Sequence, residues 1–316
     1  MSWQEELHKK YKDKIVENEL MSKHTPMGVG GVAEFYMDVS SIDELVDVIS
    51  FCKRRKIPYK IIGNGTNLIF SDIGYLGLVV HNGAKNLTIN QSTGEAIAES
   101  GVQLSTLITS LAAKGLGGLE TLYGIPCTIG GAVVNNAGAH GENIGKYLKS
   151  ASLMINGEKI VSYKNNWFRF EYRSSRLKKK ENSIALLTAK FQFSQRKKEK
   201  IFKLMNEAST WRRKEQPIGQ KSSGSIFKNP DSTDKETEGI RERSAGFLLE
   251  RSGIKRLRVG GVQVSRTHAN WIINVGNATA SDVRKLAQMM REAVEEKFKI
   301  TLQEEIEYVG DWTANE

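Results

Sequence analysis

Apolar residues recur along the chain with two different periods, and the longer period predicts helices. After Ser41, the apolar residues Leu45, Val48 and Cys52 fall on one helical face. Ser41 and Glu44 have the spacing of a capping box, which favours a helix that begins there. The same reasoning predicts further helices at 104–115, 200–216 and 244–253, and a capped helix from Thr279.

Shorter apolar runs predict strands, several of them paired. Residues 57–62 and 76–80 flank a glycine loop, and residues 86–91 and 95–100 flank a Ser-Thr-Gly turn. The Asn156-Gly157 dipeptide predicts a hairpin with a type I′ turn. Further strands are expected at 183–193, 262–266, 270–275 and 300–310. The pattern therefore predicts an α+β protein of two or three domains in which antiparallel sheet is prominent.

Glycine is dense in one stretch, with nine glycines between Gly115 and Gly145. A flexible linker is one interpretation, but linkers are hydrophilic, and this stretch carries Leu122, Ile129 and Val133. Glycine is favoured where the backbone turns sharply or approaches another group closely. We therefore favour ordered backbone that lies along a planar, phosphate-bearing cofactor.

Two further glycine loops precede this stretch, at 27–35 and 63–72. Exposed backbone N–H groups in such loops form concave anion sites without any side-chain charge. Asn64, Thr66, Asn67 and Ser71 add neutral donors, so a diphosphate fits the second loop. Neither loop has the spacing of a Rossmann fingerprint or of a Walker loop, so neither motif is present.

The chain of 316 residues is basic, with a formal net charge of +10. Its Lys and Arg residues are scattered in short runs at 52–56, 177–180, 196–200 and 212–214, where solvated side chains are expected. No run is interleaved with aromatic residues for base stacking. Small polyanionic ligands therefore suit the charge at least as well as nucleic acid does.

The number and spacing of cysteines and the hydropathy of the chain restrict the class of protein further. Cys52 and Cys127 are the only cysteines, and they lack the spacing of a zinc site or of a disulfide framework. No apolar stretch reaches membrane-spanning length, and the first 14 residues lack an apolar signal-peptide core. These features predict a cytoplasmic protein with reduced thiols and no metal.

Six segments resemble one known family, and they occur in the same order. They are GNGTNLIFSD (63–72), GIPCTIGGAVVNNAGAHG (124–141), YRSSRLK (172–178), SSGSIFKNP (222–230), THANWIINVGNATASDV (267–283) and LQEEIEYVG (302–310). From about residue 25 to residue 310, the chain resembles the UDP-N-acetylenolpyruvoylglucosamine reductases. The resemblance implies reduction of UDP-N-acetylglucosamine enolpyruvate to UDP-N-acetylmuramate, a step in peptidoglycan synthesis that serves cell-wall biogenesis, cell shape and cell division. It also implies FAD bound without a covalent bond, with NADPH as the reductant.

The resemblance implies a domain organisation as well. We expect an FAD-binding domain of the vanillyl-alcohol-oxidase (PCMH) type in two α/β subdomains, at 1–82 and 83–218. A smaller α+β substrate-binding domain at 219–303 follows, and the strand at 304–316 is a candidate to pack on the first subdomain. The expected partners are the two small substrates alone, with no nucleic acid, no membrane and a monomeric chain.

Residue roles follow from the same resemblance. Arg173 is expected to hold the enolpyruvyl carboxylate, because its planar fork suits a carboxylate. Ser225 is expected to donate a proton, and Glu305 to help Arg173 stabilise the enolate-like intermediate. Neighbouring Glu304 is expected to be solvated, since adjacent residues of a strand face opposite ways. The implied substrate-binding residues are Tyr172, Lys228 and Asn229.

The residues implied in FAD binding lie in two of the glycine-bearing segments. They are Gly63, Asn64, Gly65, Thr66, Asn67, Ser71, Tyr123, Gly124, Ile125, Pro126, Thr128, Gly130, Gly131, Asn135, Ala137 and Gly138. Covalent flavin attachment to a histidine occurs in the wider fold, but the family resemblance implies that His140 only forms hydrogen bonds in its loop. His268 is expected to shape the substrate domain without a catalytic role.

Two other functions remain open at the level of sequence. A flavin oxidase of the same fold would act on another alcohol or sugar, and a flavin-free protein would bind nucleotides or RNA through its basic surface. The short interval from Arg173 to Ser225 resembles the family's second type, which lacks an inserted loop over the substrate.

Overall fold

The computed structural model describes residues 2–180, 183–230 and 244–313. Within these ranges the helices are α1 Trp3–Tyr11, α2 Ile42–Arg55, α3 Leu104–Ala113, α4 Ile129–Val134, α5 Lys198–Glu215, α6 Ala245–Arg251 and α7 Ala280–Phe298. Each of the five predicted helices is confirmed. No helix of the described ranges has both the length and the apolar character needed to cross a bilayer.

The strands of the described residues are mostly short. They are β1 Ile15–Leu20, β2 Val32–Val39, β3 Tyr59–Ile62, β4 Leu68–Phe70, β5 Tyr75–Asn82, β6 Leu87–Asn90, β7 Glu95–Glu99, β8 Leu116–Gly117, β9 Gly138–Ala139, β10 Glu142–Asn143, β11 Leu148–Ile155, β12 Lys159–Lys164, β13 Ile184–Gln192, β14 Ser194–Gln195, β15 Arg258–Val259, β16 Val262–Val264, β17 Ile272–Asn274 and β18 Glu307–Val309.

The chain forms two compact units that alternate along the sequence. The first unit contains residues 1–17, 35–64 and 77–212, and the second unit contains residues 18–34, 65–76 and 213–316. The predicted boundaries at 82/83 and 218/219 stay a prediction about domains, and the compact units divide the chain at other positions.

The main sheet of the first unit is antiparallel, with the strand order β12-β11-β13-β7-β6. Its β11–β12 hairpin turns at Asn156 and Gly157, whose φ angles of 52° and 72° agree with the predicted type I′ turn. The predicted β6–β7 hairpin is also confirmed. Helices α3 and α4 contact this sheet, and a large apolar core lies beneath them.

A second apolar core of the first unit lies under α2. The predicted face of Leu45, Val48 and Cys52 is fully buried there. Ser41 accepts a hydrogen bond from the Glu44 N–H, as a helix cap requires. A full capping box would also have the Glu44 carboxylate accept from the Ser41 N–H. It accepts from the Ser40 N–H instead. Strands β3 and β5 pair in parallel beside this helix. They belong to a four-stranded sheet with the order β1-β2-β5-β3.

The second unit has a three-stranded sheet in the order β15-β16-β17, covered by α7. Its core also contains Met27, Val29 and Ile69, which come from segments early in the chain. Strand β18 pairs in parallel with β4, over residues 307–309 and 68–70. The last strand is therefore shorter than the predicted 300–310, because residues before 307 form only an isolated bridge, between Phe227 and Glu304.

Helix α7 begins with two caps. Thr279 and Asp282 form the predicted N-terminal cap as a full capping box. Asp72, far away in sequence, accepts hydrogen bonds from the Ala280 N–H at 2.7 Å and from the Ser281 N–H at 2.8 Å. The carboxylate of Asp72 thus fixes the end of the 63–72 loop to the start of α7, within the second unit.

Candidate functional site

The glycine loop at 63–67 presents backbone donors. Gly65 has a φ of 62°, and a Cβ there would lie 2.5 Å from the His24 carbonyl oxygen, so glycine is required. The backbone N–H groups of residues 64–67 donate to no acceptor in the part of the chain that the structure describes. A run of N–H groups of this kind suits a phosphate oxygen.

Three of the four predicted neutral donors of this loop have other partners. Asn64 and Gln103 exchange two hydrogen bonds, at 2.7 and 2.8 Å. Asn67 donates to the Glu305 carbonyl oxygen at 2.6 Å. The Ser71 hydroxyl is fully buried and donates to the Asp311 carbonyl oxygen. These three side chains hold the loop in place, so the backbone and the partly exposed Thr66 hydroxyl are the parts of the loop that can serve an anion.

The glycine stretch is ordered, as predicted, and it contains α4. Thr128 caps α4 by accepting from the Gly131 N–H at 3.3 Å. Gly63 lies against this cap, since a Cβ there would come within 2.5 Å of the Thr128 hydroxyl oxygen. The Gly130 N–H donates to the Ser100 carbonyl oxygen at 2.7 Å. Two sequence-predicted cofactor segments, 63–64 and 128–131, are therefore neighbours in the first unit.

Arg173 stands at the tip of a tight turn. Glu171 and Ser174 close the turn with two backbone hydrogen bonds, at 3.1 and 3.2 Å. Arg173 has a φ of 51°, which is unusual for a bulky residue. Such outliers persist where the surroundings hold them, and they gather at functional sites. Tyr172 is 48% exposed beside it, with the guanidinium 5.3 Å from the tyrosine ring centre.

The Arg173 turn is attached to the glycine stretch by three side-chain bonds. The Ser175 hydroxyl donates to the Val134 carbonyl oxygen at 2.7 Å, and the Asn136 amide donates to the Glu171 carbonyl oxygen at 2.9 Å. The Lys178 ammonium donates to the Asn135 side-chain oxygen at 2.8 Å. The predicted carboxylate-binding arginine and the predicted cofactor stretch thus meet in the first unit.

Arg212 is a buried cation that was not predicted. It was expected to be solvated, within the basic run 212–214, but it is only 7% exposed. It donates to the carbonyl oxygens of Tyr123, at 3.1 Å, and Thr121, at 3.0 Å. No carboxylate of the described residues forms an ion pair with it. Its position could have been predicted, because the buried residues of α5, Ile201, Met205, Ala208 and Arg212, have helical spacing.

Electrostatics place Arg173 and Arg212 near Cys127. Burial raises the pKa of the Cys127 thiol to about 12, and the positive charges of Arg212 and Arg173 oppose that rise. Burial lowers the pKa of Arg212, and Arg173 lowers it further by repulsion. Two like charges near one half-buried thiol leave a positive field beside residues 123–128, which an anionic ligand would neutralise.

Ser225 lies in the middle of a short ladder within the second unit. It forms a bridge with Trp271 on one side, and Phe227 forms a bridge with Glu304 on the other. Asn270 holds the segment by accepting from the Phe227 N–H at 2.9 Å and donating to the Phe227 carbonyl oxygen at 2.8 Å. The Ser225 hydroxyl is partly exposed and bonds to none of the described residues, so it is available to a ligand.

Glu305 lies beside the Ser225 segment. Its N–H donates to the Ile226 carbonyl oxygen at 2.7 Å. The expectation that Glu304 is solvated is wrong, because its side chain is only 21% exposed. The Tyr308 hydroxyl donates to it at 3.5 Å, and Arg291 lies 3.8 Å away. Burial raises the pKa of Glu304, and the charge of Arg291 offsets part of the rise.

The remaining predicted residues have mixed surroundings. Lys228 is half-buried, and its N–H donates to the Gln303 carbonyl oxygen at 2.9 Å. Asn229 is exposed and accepts from the Ala245 N–H at 3.0 Å, at the start of α6. Burial lowers the pKa of His268, whose ring packs against Gly246, so His268 is neutral at pH 7. This environment agrees with a structural histidine.

His140 packs edge-on against the Trp211 ring, with ring centres 4.6 Å apart. Its φ is 52°, so it lies in the left-handed region at a bend of the glycine stretch. Burial lowers its pKa, and the Arg212 charge lowers it further.

The described residues fit a phosphate-bearing planar cofactor. Four consecutive N–H groups at 64–67 lack acceptors among the described residues, and the first unit holds a buried guanidinium and a half-buried arginine beside a glycine-rich backbone. No group of three or more His, Cys, Asp or Glu side chains in the described ranges could hold a metal ion. The donors are those of an anion site rather than of a metal centre.

Family models match both parts of the chain. Residues 33–163 match the FAD binding domain, and residues 216–309 match the C-terminal domain of UDP-N-acetylenolpyruvoylglucosamine reductase. Fold and site thus define a class of protein. It is a flavoprotein in which an FAD-binding domain is followed by a second domain that is typical of one reductase family.

Relatives extend the similarity over nearly the whole chain. UDP-N-acetylenolpyruvoylglucosamine reductase of Bacillus subtilis is 34% identical over 306 residues, which cover 97% of each chain. The reductase of the same name from Carboxydothermus hydrogenoformans is 36% identical over 307 residues, which cover 97% of this chain and 98% of the relative. The crystal structure of the reductase from Thermus caldophilus matches with a TM-score of 0.76 at 32% identity, and covers 93% of this chain and 98% of that one.

The chain belongs to the UDP-N-acetylenolpyruvoylglucosamine reductase family. The predicted α+β fold with an FAD-binding domain is confirmed.

Proposed function

We propose that this chain is an FAD-dependent reductase that uses NADPH to convert UDP-N-acetylglucosamine enolpyruvate to UDP-N-acetylmuramate. The observation that carries the proposal is the pairing of Ser225 and Glu305 on adjoining segments, joined by the 2.7 Å bond from the Glu305 N–H to the Ile226 carbonyl oxygen. This bond sets the Ser225 and Glu305 segments side by side, and a hydroxyl and a carboxylate that both reach one substrate suit protonation of a carbon beside an acid group.

FAD, when bound, supplies a hydride carrier between NADPH and the enolpyruvyl group. The N–H groups of residues 64–67 would hold its pyrophosphate. The glycine stretch from Tyr123 to Gly138 would lie along its ring system. Arg212 would fix this stretch through its bonds to Thr121 and Tyr123, and its charge would favour a bound anion.

Arg173 would bind the enolpyruvyl carboxylate. Its turn presents the guanidinium next to exposed Tyr172, and a planar fork with several donors suits the two oxygens of a carboxylate. Negative charge grows on that carboxylate as hydride adds to the terminal methylene carbon. A fixed cation stabilises such charge more in a site that excludes water than it does in bulk solvent.

Ser225 would donate the proton that completes the reaction. Hydride and proton together convert the enolpyruvyl ether to a lactyl ether, with the proton added to the carbon next to the carboxylate. A hydroxyl is a weak acid, but the enolate is a strong base, so geometry decides the rate. Glu305 would help to stabilise the enolate, and Lys228 and Asn229 would hold substrate phosphates.

The reaction and its partners fit the surface of the chain. Both substrates and FAD are polyanions, which the net charge of +10 attracts. Cys52 and Cys127 are free thiols, which suits a reducing compartment. We infer a cytoplasmic monomer that acts in cell-wall biogenesis and so serves cell shape and division.

Two assays on the purified protein test this function. We expect the absorbance of bound flavin, and NADPH oxidation that depends on the enolpyruvyl-UDP-sugar. An oxidase of the same fold would instead consume oxygen with its substrate and ignore NADPH. A nucleotide-binding or RNA-binding protein would be colourless and would not take up FAD.

A further inference from the structure

We propose that Asn67 is a positioning residue that fixes Glu305, and that it does so with its side chain in place of its own backbone. Asn67 stands in the glycine loop that was expected to hold FAD, and its neutral side chain was expected to serve a diphosphate. Its side-chain amide instead donates to the Glu305 carbonyl oxygen at 2.6 Å, across 238 positions of sequence. This inference rests on the proposed role of Glu305.

Asn67 contacts the Glu305 segment twice, at positions 305 and 307. Besides the amide bond, its carbonyl oxygen accepts from the Glu307 N–H at 2.8 Å. In a regular parallel ladder, a residue opposite position 306 accepts from the N–H of 307 and donates its own N–H to the carbonyl of 305. Here the first bond is present, and the side-chain amide makes the second.

The substitution of side chain for backbone has a consequence for the loop. Because the amide serves the Glu305 carbonyl, the Asn67 backbone N–H is released from the ladder, and it finds no acceptor among residues 2–180, 183–230 and 244–313. It can then join the N–H groups of 64–66 as a fourth donor to an anion. One residue thereby extends the anion loop and anchors the catalytic strand.

The Glu305 peptide is held from both sides as a result. Its N–H donates to Ile226, next to Ser225, and its carbonyl accepts from Asn67. Two opposed hydrogen bonds define the backbone at Glu305 and hence the direction of its side chain. An error of about 1 Å at a reacting group can cost about a hundredfold in rate, so loss of the Asn67 bond should be visible in catalysis.

The chemistry of the bond requires a donor at this position. The acceptor is a carbonyl, so the nitrogen of the Asn67 amide must face it. Aspartate has the same shape but would place a carboxylate oxygen against the Glu305 carbonyl, which is repulsive. Alanine removes the bond without adding repulsion. The predicted order of rates is therefore Asn, then Ala, then Asp, whereas a residue that only fills space would tolerate Asp better than Ala.

The test uses full-length protein loaded with FAD, with three readouts for Asn67→Ala and Asn67→Asp. They are the FAD content, the rate of flavin bleaching by NADPH, and the rate at which the enolpyruvyl substrate restores flavin absorbance. We expect the last rate to fall most, by about a hundredfold for Ala and further for Asp. FAD content should fall by a smaller factor, because the Asn67 backbone N–H can return to the ladder, and the bleaching rate of loaded protein should stay unchanged. For Asp, lower pH should restore part of the rate, because a protonated carboxyl can donate again.

A double variant shows whether Asn67 acts through Glu305. If it does, Glu305→Gln combined with Asn67→Ala should be no slower than Glu305→Gln alone. Asn274→Ala is the matched control, because the Asn274 amide also donates to a carbonyl in the second unit, that of Met27 at 2.9 Å. The control should lower the unfolding temperature comparably and leave both rates unchanged.

Three results would overturn the inference. They are a substrate step that falls no more than the NADPH step in Asn67→Ala, a milder effect of Asp than of Ala, and additive effects in the double variant. Failure of the proposed function is distinguishable, because wild-type protein would then not respond to the enolpyruvyl substrate at all.

Discussion

Two regions of the molecule prepare their candidate groups in different ways. In the first region, which contains the glycine-bearing segments and the Arg173 turn, the groups offered to a ligand are mainly backbone N–H groups and two arginines, set by glycines and by the tight turn. In the second region, which contains the segments of Ser225 and Glu305, the candidate groups are two side chains whose backbone is held by the amides of Asn270 and Asn67.

The difference teaches which substitutions each region tolerates. Backbone sites depend on conformation, so they are sensitive at glycine and tolerant elsewhere. Sites built from side chains on adjoining segments depend on specific long-range hydrogen bonds, so they are sensitive at the reacting residue and at its holder. Cofactor retention should therefore depend on the first kind of contact, and the chemical step on the second.

The largest expected effect comes from Ser225→Ala. The flavin should still be bleached by NADPH at the wild-type rate, while its recovery with the enolpyruvyl substrate slows by about 10²–10⁴-fold, the usual cost of losing a positioned acid. Ser225→Cys should recover part of the rate, because a thiol is a better acid. Stopped-flow absorbance separates the two steps. Equal slowing of both would show that Ser225 organises the cofactor pocket instead.

A smaller effect is expected at Arg173, in the first unit. Arg173→Lys keeps the charge and loses the fork, so one charged hydrogen bond of about 1.5–3 kcal/mol is lost. This predicts an apparent KM for the enolpyruvyl substrate that is higher by about tenfold to a hundredfold. Arg176→Lys is the control, since Arg176 lies 4.8 Å from the Trp167 ring centre in the next turn. Equal KM changes in both variants would remove the special role of Arg173.

Asp72 sharpens the comparison, because it ends the glycine loop while its carboxylate caps α7. Asp72→Ala removes the acceptor for the Ala280 and Ser281 N–H groups. We expect the unfolding free energy in urea to fall by about 1 kcal/mol, as for loss of a helix cap, with FAD retention unchanged. Ser281→Ala should cost less, since it loses only the hydrogen bond that the Ser281 hydroxyl donates to Asp72 at 2.6 Å. Loss of FAD in Asp72→Ala would place the carboxylate in the cofactor site.

The smallest effect concerns Cys127 and appears only at high pH. Its folded pKa, about 12, lies above its unfolded value, so folding favours the protonated thiol. Its contribution to stability is complete below the unfolded pKa of about 8.5 and is lost as pH rises towards the folded value. Cys127→Ala should flatten the alkaline decline of the unfolding free energy and leave it unchanged at neutral pH. Rapid reaction of native Cys127 with a thiol reagent at mildly alkaline pH would contradict this.

Local features of the fold could be predicted from the sequence. The Asn156-Gly157 turn, the buried face of α2 and the Thr279 cap depend on residues within a few positions of one another. The 300–310 strand was overestimated, because apolar spacing cannot reveal that residues before 307 have only an isolated bridge partner. The boundary near 218/219 stays a prediction. Apolar spacing alone could not predict that Met27, Val29 and Ile69 pack with the C-terminal core.

The site was predicted unevenly for the same reason. Glycine spacing indicated an anion loop, and that backbone is available as expected. The hydrogen bonds and burial of the side chains depend on partners that are distant in sequence. The bond from Asn67 to Glu305 and the burial of Glu304 therefore could not be predicted. The burial of Arg212 could have been foreseen, from helical spacing alone. The roles of Arg173, Ser225 and Glu305 came from resemblance and stay proposals.

Anaerobic single turnover tests the central claim most directly. Wild-type protein is loaded with FAD, bleached with one equivalent of NADPH, and then mixed with UDP-N-acetylglucosamine enolpyruvate in the absence of oxygen. We predict that flavin absorbance returns in full and that one equivalent of UDP-N-acetylmuramate forms. Absorbance that returns only when oxygen is admitted, with no lactyl ether formed, would contradict the proposed function.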